Sequence, residues 1–311
     1  MASADAVRAG RAALLDLLAD LLLRELEMPL AAQLAADPTL AEVLNPPTEV
    51  EALSALRAEY TRLLVLDLPP YSSVFLDMPP VIGGDAALRW EQTLAGLGLR
   101  LPALERAAAP DHAGLILQAL AAAERASHAA ALLPMALAWL PQWLTALRRD
   151  AEETFYGRVA ALAVVALGET TQAAGAPVLL AAGASAPAPG EPEERDLRTL
   201  SRWLCTPASS GWLLSKRRLR LLVRPFGGGL GIVDRDQMLQ QVFEASGLDG
   251  RTDELLAALR AELETWQAAL HAWRETLGDW KIALDPWAAR LAATDALLAQ
   301  MHAAAQAAEA G

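Results

Sequence analysis

The sequence predicts an all-α protein. Apolar residues recur at helical spacing along most of the chain, β-branched residues are sparse, and aromatic residues amount to 5%. Strands draw on β-branched and aromatic side chains. A stripe at i, i+3, i+4 and i+7 instead marks a helix that buries one side. With 311 residues, 54% of them hydrophobic and many of those alanine or leucine, the chain can bury one large core or two smaller ones.

Taken in order, Leu14, Leu17, Leu18, Leu21 and Leu22 define a first helix, with Asp16, Asp20 and Arg24 opposite. Glu49 to Leu66 repeats the pattern through Leu53, Leu56, Tyr60, Leu63 and Leu64. Pro69-Pro70 stops it, because proline donates no backbone hydrogen bond and pushes its predecessor into an extended conformation. Further helices are expected over 85–97, 111–126, 135–148 and 152–173. Asp111, after Pro110 and before an apolar run, is placed as an N-cap. Ala129 to Leu147 carries no charge and nearly has the length of a bilayer span. Pro134 and Pro141 interrupt it, so it reads as a buried helix entered near Pro134 and kinked or ended near Pro141.

Residues 183–194, rich in Ala, Pro, Gly and Glu, read as a linker between a helical domain over 1–182 and a helical extension over 195–311 packed on it. In the extension, helices are expected near 195–204, 215–224, 234–246, 251–277 and 285–308, with a turn at Pro207–Gly211 and a glycine-rich stretch at 225–231. Trp266, Trp273, Trp280 and Trp287 recur every seven residues, which returns a side chain to nearly the same helix face. Gly278 and Asp285-Pro286 interrupt the series, so the four read as core anchors, with a peptide-binding aromatic strip as the alternative.

A net charge of −12 argues against a nucleic-acid partner, which would need a basic footprint. The basic run Lys216-Arg217-Arg218 with Arg220 and Arg224 reads as a solvated face that pairs with the chain's own carboxylates. The lone Cys205 forms no internal disulfide, and the start of the chain has no basic segment followed by an unbroken apolar core, so the chain reads as cytoplasmic. His112, His128, His271 and His302 show no metal-ligand spacing, and no metal or cofactor is expected. The glycines at 227, 228, 229 and 231 are followed by no Gly-Lys-Ser/Thr, and nothing supplies a nucleophile elbow for His112. Catalytic residues are therefore not assigned. A helical metal-dependent hydrolase using Asp111 and His112, and a structural scaffold that binds a protein partner, stay open as alternatives.

Several segments recur in the order of one known family. Glu59-Tyr60-Thr61-Arg62-Leu63-Leu64 is followed by Pro70-Tyr71-Ser72-Ser73-Val74-Phe75, then Gly83-Gly84-Asp85 and Leu97-Gly98-Leu99. Pro110-Asp111-His112 comes next, then Trp139-Leu140-Pro141 and Phe155-Tyr156. Over roughly residues 10–175 this series resembles the TorD/DmsD family of cytoplasmic chaperones for molybdoenzymes. The resemblance implies a TorD-like helical bundle that is not an enzyme. It implies binding of the apo form and the twin-arginine signal peptide of a DMSO-reductase-type molybdoenzyme, aiding cofactor insertion before export. It implies no nucleic-acid partner and no stable membrane insertion, in a monomer or homodimer. Carried over residue by residue, it assigns signal-peptide binding to Asp111, His112, Tyr60, Tyr71, Ser73, Trp90 and Trp139, with Asp111 facing the peptide's arginine pair.

Overall fold

A computed structural model of the chain describes residues 3–101, 107–177, 196–226 and 233–310. Among them no strand is formed, and the fold is all-α. Two compact units result: Met1–Ala184 with Arg274–Ala283, and Ser185–Trp273 with Leu284–Gly311. The expected boundary put everything after residue 195 in the extension, whereas residues 274–283 pack with the first unit. The expected linker over 183–194 and the glycines at 227–231 lie outside the described residues.

The first unit opens with α1 (Ala4–Leu23), where the Ser3 side chain accepts from the Ala6 amide and Leu15, Leu18, Leu21 and Leu22 are buried. Next come α2 (Met28–Ala36) and α3 (Pro38–Leu44), two short helices that no apolar stripe announces. Each carries proline in its first turn, where the missing N–H is no loss. Asp37 starts α3 by accepting from the amides of Thr39 (2.9 Å) and Leu40 (3.1 Å). Asp37→Ala is expected to cost about 1 kcal/mol, as for other N-cap losses. Urea unfolding measures it, and an unchanged midpoint would remove the cap from the account.

The expected helix over 49–66 is two elements. α4 (Val50–Tyr60) widens into a π-helical segment, Thr61–Asp67, which ends as the Leu68 amide bonds to the Leu63 carbonyl. Then follow α5 (Ser72–Leu76), α6 (Asp85–Gly96) and α7 (Ala113–Arg125). α7 runs along α1, and Gly114 lets them meet: a β-carbon there would lie 2.5 Å from Leu23 Cγ and 2.9 Å from the Ala19 carbonyl.

The uncharged stretch forms α8 (Ala129–Leu137) and α9 (Leu140–Ala151), bent 59° apart at Trp139. Pro134 lies inside α8 instead of opening the helix, and Pro141 stands in the first turn of α9, where its fixed φ suits a helix start. Among the described residues no single helix is long and apolar enough to cross a membrane. α10 (Phe155–Ala174) completes the run, and Trp280 Nε1 donates to the Gly175 carbonyl at 2.7 Å.

The second unit contains α11 (Leu197–Cys205), α12 (Pro207–Ser210), α13 (Lys216–Val223), α14 (Arg235–Leu248), most of α15 (Thr252–Leu277) and α16 (Asp285–Ala310). Gly211 ends α12 at φ +83°, and a β-carbon there would meet Arg290 Cβ at 2.7 Å, so the α12 turn and α16 touch through a glycine. Burial pushes the Cys205 thiol up to about 12, which keeps it a packing residue. Trp266, Trp273, Trp280 and Trp287 are all buried, so no aromatic strip faces solvent. Three of the five cations in the basic run depart from the expected pairing. Lys216, Arg220 and Arg224 on and beside α13 have no carboxylate partner among the described residues.

Candidate functional site

Two segments some forty residues apart in sequence meet at the start of α7. Tyr71 and His112 form an antiparallel bridge: the Ser72 amide donates to the Asp111 carbonyl (3.2 Å) and the Ala113 amide to the Pro70 carbonyl (2.7 Å). The prolines before Tyr71 hold that segment extended, so it can lie beside the other strand-like stretch.

Asp111 is wholly buried, and its Oδ2 accepts from the Ser73 amide at 2.7 Å and the Ser72 hydroxyl at 3.1 Å. It therefore caps α5, whose own first residues provide no side-chain cap, instead of α7 as the sequence suggested. The cap of α7 is His112, whose Nδ1 accepts from the Gly114 amide at 3.0 Å. An imidazole that accepts at Nδ1 is neutral, with its proton on Nε2. Burial lowers the His112 pKa to about 4, in accord with that tautomer. Asp111 Oδ1 and Ser73 Oγ are buried without a hydrogen-bond partner among the described residues.

Tyr71 stands edge-on to the His112 ring at a centroid distance of 5.1 Å, and its hydroxyl accepts from the Ala108 amide at 3.3 Å. Burial, above all, raises its pKa; the Ala108 bond opposes that, and Asp111 adds to it. Tyr60 donates to the Leu22 carbonyl at 3.1 Å and packs against Tyr156 at 5.7 Å. Its pKa is raised to about 12, by burial first and then by the neighbouring Tyr71 and Glu25. Phe75 of α5 packs on Trp139 at 5.5 Å, and Trp139 on Trp143 at 6.2 Å.

Of the seven residues assigned from the sequence, Tyr71, Ser73, Asp111 and His112 form one contiguous cluster. Tyr60 joins through Tyr71, and Trp139 supports it through Phe75. Trp90, buried in α6, makes no ring contact or hydrogen bond with the others among the described residues. Five of the seven are buried; Tyr60 and Tyr71 reach solvent.

Two carboxylates near Tyr60, Glu25 and Glu59, escaped the sequence reading. Glu25 lies 3.9 Å from Arg57, while Arg62 lies 3.9 Å from Glu59 and 3.6 Å from Asp67. These are long ion pairs whose cations are partly exposed, so they hold their arginines loosely. Glu59 and Arg62 belong to the helix-end motif already quoted, but nothing in the sequence tied Glu25 to them. The face combines carboxylates with tyrosine rings, which suits a cationic, partly apolar peptide. Among the described residues no three His, Cys, Asp or Glu side chains gather to hold a metal ion.

Residues 23–150 match the family described as Nitrate reductase delta subunit, within the stretch that carries the motif series. No curated protein and no solved structure matches the chain.

Proposed function

We propose, on the premise that residues 23–150 belong to the nitrate reductase delta subunit family of molybdoenzyme maturation chaperones, that this protein is a cytoplasmic, non-catalytic chaperone. It binds the apo form of a DMSO-reductase-type molybdoenzyme, takes hold of its twin-arginine signal peptide, and releases both once the cofactor is inserted. The family match is the observation that carries this reading.

The site geometry supports a particular division of labour. Tyr60 and Tyr71 offer ring surface to the apolar part of the peptide, while Glu25 and Glu59 attract its guanidinium groups. Each guanidinium would displace Arg57 or Arg62 from a long pair, exchanging one weak contact for a better one. Asp111 and His112 take positioning roles in place of direct contact. A fully buried carboxylate that already caps α5 presents no face to a peptide.

Calorimetry with a twin-arginine signal peptide, its double-lysine form and a scrambled control tests this. The cognate peptide should bind selectively. Glu25→Gln and Glu59→Gln should each weaken binding by up to about 1 kcal/mol, roughly fivefold, and added salt should shrink that difference. Equal binding of cognate and scrambled peptides would end the chaperone reading. Selective binding untouched by either glutamate variant would keep the function and move the site elsewhere.

A further inference from the structure

We propose that α13 is a peripheral docking helix for anionic bilayer surfaces, with Leu221 entering the headgroup region inside a ring of arginines. Five cations fall within residues 216–224 of a chain whose net charge is −12. Leu219 and Val223 are buried and fix which side of α13 faces inward. At 3.6 residues per turn, Leu221 projects opposite the midpoint of that pair, and it is 50% exposed. Arg217, Arg220 and Arg224 lie on one side of it and the half-buried Arg218 on the other. An exposed leucine set among cations suits the headgroup region of an anionic surface, where the ring of charge meets lipid phosphates and the side chain reaches past them.

The placement of charge along the helix points the same way. Lys216, Arg217 and Arg218 occupy the first turn of α13, and that turn holds no acidic residue. Cations at a helix N-terminus oppose the helix dipole, so these three weaken the helix they begin. The Ser215 side chain, accepting from the Arg218 amide at 3.1 Å, holds the turn together. Lys216, Arg220 and Arg224 find no carboxylate among the described residues. A sheet of lipid phosphates relieves both conditions at once, and the helix, about 12 Å long, lies flat on it. A nucleic-acid strand fits less well, since it would extend beyond so short a basic stretch of a chain whose net charge is −12.

Flotation of the full-length protein with phosphatidylcholine vesicles, with and without phosphatidylglycerol, tests the proposal. At low salt the protein should float with the anionic vesicles and stay behind with neutral ones, and high salt should release it. Each cation near such a surface strengthens binding roughly fivefold, so Arg220→Glu with Arg224→Glu should lower partitioning at least about twentyfold. Leu221→Ser should lower it severalfold with all charges kept. Circular dichroism and thermal melting should match the parent for both variants, because neither touches Leu219 or Val223. Failure to float with anionic vesicles, or undiminished flotation of the charge-reversed variant, would overturn the proposal. Tighter binding to polyglutamate than to anionic vesicles would overturn it in favour of an acidic protein surface.

Discussion

Asp111→Ala is expected to lower stability by about 3 kcal/mol, while Asp111→Asn stays within about 1 kcal/mol of the parent. The carboxylate is wholly buried, and Oδ2 takes both the Ser73 amide and the Ser72 hydroxyl. Alanine removes that acceptor. The Ser73 N–H is then left buried without that acceptor, which alone costs about 1–3 kcal/mol, and the lost bonds to the carboxylate add to this. Asparagine keeps one oxygen for the two donors and replaces Oδ1, buried without a partner among the described residues, by an amide nitrogen. Urea unfolding of the two variants decides the matter. If alanine were tolerated, Asp111 would not be what holds α5 in place.

The second large effect is a loss of stability in mild acid. The folded-state pKa of His112 lies at about 4, below its ordinary 6.5, because burial disfavours the imidazolium. Between those values the unfolded chain binds a proton that the folded chain refuses, so stability falls as pH drops. The contribution is complete above about pH 6.5, declines through the interval, and is gone below about pH 4. At about 1.4 kcal/mol per pH unit, the whole interval is worth about 3 kcal/mol. His112→Asn separates this effect from the carboxylates' own titration, since asparagine still offers an acceptor to the Gly114 amide and does not titrate. The parent should lose stability more steeply than the variant between pH 6.5 and 4. Parallel curves would show that burial of the ring does not govern its protonation.

The long elements were legible because their apolar stripes are long. α1, α6, α14, α15 and α16 each lie close to the expected ranges, and the seven-residue recurrence of tryptophan announced buried anchors. α2 and α3 were not legible, since a helix of two turns that begins with proline shows no periodicity to read. The widening of α4 at Thr61 also left no local mark.

Within the site, the sequence brought Tyr71 and Asp111-His112 into one discussion but misassigned the caps. Both residues before α7 can cap a helix, and what decided between them was distant: Ser72 and Ser73 claim Asp111, leaving Gly114 to His112. Glu25 and Glu59 belong to different parts of the chain, so their meeting near Tyr60 is a property of the fold. No inspection of either segment by itself would pair them.

The bridge between Tyr71 and His112 closes residues 72–111 into a loop of about forty residues, pinned at its neck by the two bridge amides and the Asp111 cap. The entropy of closing such a loop grows with the logarithm of its length, so ten additional residues would cost only about 0.2 kcal/mol. Loop length and neck strength are therefore nearly independent quantities. Insertions in the exposed stretch around Val81 and Ile82 can alter what this excursion presents to solvent at almost no thermodynamic expense. The neck, by contrast, tolerates little change. The excursion is thus a place where length can change at little cost, bounded on both sides by the bridge and the cap that hold its neck.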